Sequence, residues 1–173
     1  EAAMPTGTWL KDLYSEIITN TSKIGEPGKW FDGAGGDPEG ARPKMWCEDT
    51  TGREGGYCPA YTVIVDLGEA RDLTGFQMVA GGGDGNPAEE GRAIPGFQFY
   101  GTNTFDEGVD KNDHTGWELL YECRENTDRF RPGVFEEGTS YRYVKFVITK
   151  DADPVGAGAW INISEIKLYG NVA

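Results

Sequence analysis

The chain is poor in histidine, cysteine and basic residues, and it has no long apolar run. A single histidine, His114, in 173 residues leaves neither a His-rich zinc motif nor a coherent catalytic triad. A nucleophile elbow and a G-x-x-x-x-G-K-[ST] loop are both missing. GGGDGN at Gly81–Asn86 is rich in glycine, but it lacks the strand-to-helix context of a phosphate or dinucleotide site. Without a stretch of about 18 apolar residues, nothing reads as a membrane-spanning helix. The start shows no signal-peptide pattern, and its abruptness at Glu1 reads as a mature or trimmed form. Lys and Arg number 16 against 29 acids, a net charge of −13. Such a surface repels phosphate backbones and anionic membranes, so nucleic acid and lipid headgroups are poor partners.

With three cysteines, at least one is unpaired. Cys47 and Cys58 bracket a polar, Gly-rich loop (CEDTTGREGGYC) that a disulfide could close in an oxidising compartment; two buried thiols are the alternative. Cys123 shares an alternating segment with Leu119 and Tyr121 and is expected in the core.

What is present is strand pattern. The 12% aromatic share argues against disorder, and the length suits one domain with its own core. In YRYVKFVITK, Val144, Phe146 and Ile148 alternate with Tyr143, Lys145 and Val147, a period of two. Ile161 and Ile163, then Ile166 and Leu168, repeat the pattern with a slip of one residue. That slip predicts a bulge near Ser164 and Glu165. Further strands are expected over Thr62–Leu67, Leu73–Ala80, Gly96–Thr102 and Trp117–Cys123, separated by turn-rich segments. Leu10, Leu13, Tyr14, Ile17 and Ile18 follow helical spacing and predict one short N-terminal helix. The expected architecture is all-β: an antiparallel β-sandwich or jelly roll over residues 25–173, with residues 1–24 as an extension packed on it. Gly25–Pro59, with isolated Trp30, Phe31 and Trp46, reads as a long functional loop region or an insertion.

These landmarks occur in an order that resembles the F5/8 type C, or discoidin-like, domains of galactose-binding-like fold. FDG at Phe31–Gly33 is similar to the early Asp-Gly loop, and Trp46 to the tryptophan that follows it. YTVIVDLG, GFQFYGTN, GWELL, SYRYVKFVIT and ISEIKLYG then resemble successive strands, covering roughly Trp30 to Gly170. The likeness is to versions found as carbohydrate-binding modules and as glycan-capturing surface lipoproteins of Bacteroidetes. Two departures, the enlarged early loop and the extension Val109–Thr115, both lie in loops.

The resemblance implies a structural calcium between the early loop and the last strand, held by Asp32 and Glu165 with Asp37 as a third carboxylate. Carbonyls of Trp30 or Ala34 would complete the shell of about six to eight oxygens. Read otherwise, these acids are simply solvated. A sugar site needs exposed rings beside fixed donors and acceptors, and several loops offer them: Trp46 and Tyr57, Arg92, Trp160, and Asn162. Arg92 and Trp160 match positions that contact ligand in sugar-binding members. The same resemblance would place Trp46 in the core and Trp117 more firmly so, while Arg92 could pair with Glu89 or Glu90 and His114 would be a bystander. The function implied is a non-catalytic carbohydrate-binding module, extracellular or at the cell surface. Its partner would be a glycan or oligosaccharide, with companion modules in any larger chain. A protein-interaction module of the same fold is the alternative.

Overall fold

A computed structural model of the chain describes residues 3–19, 31, 44–47, 57–80, 94, 96–128, 130–150 and 159–172. At 19, 44–47, 57–61, 80, 150, 159–162 and 164 it describes the backbone alone. Among the described residues nine strands follow in chain order: β1 (Thr8–Trp9), β2 (Glu16–Thr19), β3 (Lys44–Cys47), β4 (Tyr57–Ala80), β5 (Gly96–Thr102), β6 (Glu118–Cys123), β7 (Phe130–Val134), β8 (Ser140–Lys150) and β9 (Ala159–Asn171). All pairings are antiparallel.

β4 belongs to both layers of the sandwich. Its first half pairs with β2 and β8, and β8 continues through β5 to β6. Its second half pairs with β9 and β7, and β9 carries β1 and β3 on its other edge. Between the halves the chain turns at Gly68, whose φ of 80° is left-handed. Asp66 secures that turn: its carboxylate accepts from the Gly68 amide at 2.8 Å and binds Arg142 at 2.9 and 3.0 Å. The two expected strands Thr62–Leu67 and Leu73–Ala80 are thus the arms of one bent strand.

The alternating residues of the two layers meet in a core of rings. Phe76 of the second layer packs on Phe97 edge-on at 5.6 Å and on Phe99 at 4.3 Å, both from the first layer. Val63, Val65, Val144, Phe146, Ile148, Ile163, Ile166 and Leu168 join them, all buried. Offset and edge-on ring contacts add to the area they remove from water. The predicted bulge is present: Val79 pairs with Glu165 and Ala80 with Ile163, leaving Ser164 unmatched. That extra residue lets both Ile163 and Ile166 reach the core.

The N-terminal helix is not formed. Only Lys11–Leu13 makes a single 3-10 turn, and Ile17 and Ile18 lie in β2 opposite Val65 and Ile64. The β-branched pair fits a pleated surface, and the open edge of β4 supplies hydrogen bonds that a short helix cannot match. The helical spacing of Leu10, Leu13 and Tyr14 arises because each packs inward from an irregular, extended chain. Leu119 also departs from expectation and is exposed. A register shift between Phe99 and Tyr100 makes Leu120 the inward residue beside Tyr121 and Cys123.

Candidate functional site

One end of the sandwich gathers most of the residues expected to bind. β3 pairs with the start of β9 so that Trp46 is opposite Trp160 and Lys44 opposite Asn162. Tyr57, at the start of β4, is opposite Lys150 at the same end. The ladder therefore unites Trp46, Trp160 and Asn162 by register. Arg92, Asp32 and Asp37 lie outside the described residues, as do the sulfur atoms of Cys47 and Cys58. Cys123 is a free thiol, half-buried against the core.

Glu165 is completely buried at the β9 bulge and is engaged in an interaction there. Burial of the ring pushes the Tyr14 hydroxyl up to about 12, and the Glu165 carboxylate adds to that rise. Phe31 stands edge-on to Tyr14 at 5.6 Å. The residue preceding Asp32 is thus one ring away from a phenol that feels the Glu165 charge. A carboxylate withdrawn from water needs compensation, and Glu165 has a partner there. Among the described residues no three His, Cys, Asp or Glu side chains converge.

A second organised region was not legible in the sequence. The segment 103–117, joining β5 to β6, folds across the outward face of the first layer. Ile64, Lys145 and Tyr100 form one row of that face. Lys145 is wholly buried, and its Nζ donates to the carbonyls of Lys111 at 2.9 Å and Asp113 at 3.1 Å, with His114 Nδ1 at 3.1 Å. The ammonium also lies 4.2 Å from the centroid of Trp117, a cation–π contact. His114 stacks on Tyr100 at 4.3 Å. It is therefore part of the clamp rather than a bystander. Burial first, then the Lys145 charge, holds its pKa below the ordinary value, with Asp113 opposing. In that neutral state Nδ1 can accept from Lys145. Trp117 is half-buried rather than core. It stands at 62° to Phe105, 5.9 Å away, and with Asp106, Asp110, Lys111 and Thr115 it walls a cavity of about 270 Å³.

No protein-family model matches the chain, and no curated protein does. Solved structures do. The chain is similar to the family 32 carbohydrate-binding module of EndoD from Streptococcus pneumoniae, at 14% identity and a TM-score of 0.57 over 99% of this chain and 100% of that one. It is similar to chitosan-binding module 2 of a chitosanase/glucanase from Paenibacillus sp. IK-5, solved with chitotriose: 15% identity, TM-score 0.58, 92% and 99% covered. A SusE-like protein matches at 14% identity and a TM-score of 0.64, with 94% of this chain and 65% of that one covered. The fold is the galactose-binding-like jelly roll.

In this jelly roll the two regions stand at opposite ends of β5. Gly96 is opposite Lys150 at the β3–β9 end, and Gly101 is opposite Glu118, where segment 103–117 rejoins the sheet. A larger cavity of about 620 Å³ opens among Asp72, Thr74, Phe135, Glu136, Thr139 and Asn171. Its single ring, Phe135, is only 4% exposed, so a ligand there would find acids and hydroxyls but no aromatic face. Both rings beside the smaller cavity are half-exposed.

Proposed function

We propose that the chain is a non-catalytic carbohydrate-binding module, secreted or displayed at a cell surface, which holds glycans at the β3–β9 end of the jelly roll. The observation that carries this reading is the register of Trp46 opposite Trp160, with Asn162 two residues on. Two tryptophans and an asparagine at facing register positions are the residue types that a pyranose uses: a ring for its C–H face and a donor–acceptor for its hydroxyls. Tyr57 and Arg92 complete the surface in this reading. The structural likeness to carbohydrate-binding modules supports the same conclusion. Glu165, Asp32 and Asp37 would hold a structural calcium behind the rim, tying the early loop to β9.

A rim with few polar contacts binds weakly, with dissociation constants in roughly the millimolar to micromolar range. Several modules on one chain or surface raise that by avidity. Calorimetry against a glycan panel tests the reading. Saturable binding to at least one glycan is expected, lost in Trp160→Ala and in Arg92→Ala while the melting curve is kept. Absence of binding to every glycan, with a protein partner retained on the purified domain, would favour the protein-interaction role instead. Release of reducing sugar from a bound polysaccharide would refute the non-catalytic part.

A further inference from the structure

We propose that the cavity beneath segment 103–117 is a second sugar subsite, in which a neutral pyranose stacks on Trp117 between Asp106 and Asp110. The proposal rests on the reading of the chain as a glycan binder and adds a site at the far end of β5, about 20 Å from the rim.

The rings are the first argument. Phe105 and Trp117 are half-exposed and stand at 62°, giving the cavity two aromatic walls. Neither ring can sink inward to escape water. Phe105 is backed by Tyr143 at 5.5 Å, and Trp117 by the buried ammonium of Lys145 at 4.2 Å. Rings fixed from behind and wet in front form a stacking platform that needs no rearrangement to bind. The volume of about 270 Å³ suits one sugar ring rather than a chain.

The acids are the second argument. Asp106 Oδ1 accepts from the Gly108 amide and Asp110 Oδ1 from the Asn112 amide, each at 2.9 Å. Both carboxylates are exposed and held in one orientation by these bonds. A carboxylate so held accepts from a pair of neighbouring hydroxyls without first losing rotamer freedom. Thr115, on the same wall, adds a hydroxyl that donates or accepts.

Charge selects the class of sugar. Lys145 already occupies the inner face of the Trp117 ring, and Lys111 lies in the wall. A second cation on the outer face would gain little from a ring already engaged by Lys145, but it would pair with Asp106 and Asp110, so an amino sugar is not shut out. The net charge of −13 repels sulfated and uronic chains over longer range. A neutral pyranose meets no such repulsion.

Indole N–H resonances in an isotope-labelled sample test this, with five tryptophans to follow. Trp117→Phe assigns the signal, and the probes are the methyl glycosides of galactose, glucose, mannose and N-acetylglucosamine, with glucosamine as the cation. The expected result is a saturable shift of the Trp117 signal with a neutral glycoside, and one with glucosamine that falls more steeply with added salt because it adds ion pairing with Asp106 and Asp110. The Asp106→Asn, Asp110→Asn double variant should weaken the response about tenfold. These substitutions lie on an exposed loop, so the fold persists even where Trp117→Phe loosens it. The shift should survive in Trp160→Ala. If Trp117 is silent while other indoles move, this subsite is refuted and the rim stands. Should no indole respond to any glycoside, both readings fail. A Trp117 shift that disappears in Trp160→Ala would be transmitted from the rim, and that too overturns the subsite.

Discussion

Lys145 lies between Val144 and Phe146 in an alternating strand, at a position that the period of two assigns to the outward face. It is nevertheless wholly buried, because segment 103–117 covers that face and turns two carbonyls and a histidine nitrogen onto its ammonium. The lysine acts as an internal cation that binds a loop to a sheet. Replacing it in Lys145→Met keeps the stem but strands Lys111 O and Asp113 O without their donor. Losing two part-buried hydrogen bonds costs about 1 kcal/mol each, so the melting temperature at neutral pH should fall by roughly 4–8 °C. The pH dependence carries a second signature. Burial lowers the Lys145 pKa to about 8, with Asp113 and Asp110 opposing, whereas an unfolded lysine titrates near 10.5. Across that window the unfolded chain binds a proton that the folded chain has shed, so folding gains stability as pH rises, by up to about 1.4 kcal/mol per pH unit. Tyr100, whose pKa burial raises, stays neutral over much of that range. The wild-type advantage over Lys145→Met should therefore widen between pH 8 and 10 in melts recorded at matched ionic strength. A constant gap would show that the ammonium is not withdrawn from water.

Among the elements, β7 shows how the sandwich closes on its own rings. Gly133 pairs with Phe76, and a Cβ at Gly133 would run into the Phe76 ring and close on Tyr121. The strand can approach only because that position has no side chain. Gly133→Ala should cost about 1–3 kcal/mol by overpacking, read as a lower denaturation midpoint with the m-value unchanged. A neutral effect would mean that β7 shifts freely. β5 was legible to the residue, and the slip in β9 foretold its bulge, because alternation of large apolar side chains is a local signal. In β7, Pro132 and Gly133 interrupt the alternation, so nothing local marks it as a strand. β3 sits within a Gly- and Pro-rich stretch and is defined by its partner β9 rather than by its own composition. Ile17 and Ile18 matched a helical period as well as a strand, and only the open edge of β4 decides between them. At the site, Trp160, Trp46 and Asn162 could be named from residue chemistry, but their juxtaposition depends on the β3–β9 register. The Lys145 clamp left no trace, since an outward lysine is ordinarily solvated.

At the scale of the whole molecule, Phe31 and the last strand, far apart in sequence, both meet Tyr14 in a chain of net charge −13. Phe31 against Tyr14, and Tyr14 within the field of buried Glu165, place the entry to the Asp32 loop beside β9. A calcium held by Glu165, Asp32 and Asp37 would relieve part of that charge and clamp both ends of the fold. A ligand bound only by the folded state adds about 2.7 kcal/mol at a hundredfold excess over its dissociation constant, so saturating calcium should raise the melting temperature by roughly 5–10 °C over the chelated protein. General screening of so acidic a surface would also stabilise it, and magnesium separates the two causes. Magnesium carries the same charge but demands a tight octahedron at about 2.0–2.1 Å, which a flexible cage of carboxylates and carbonyls does not supply. The expected outcome is a rise with calcium, little with magnesium, and loss of the difference in Glu165→Gln. Equal rises with both ions would assign the effect to screening, and superimposed curves with calcium and with chelator would remove the metal from this fold.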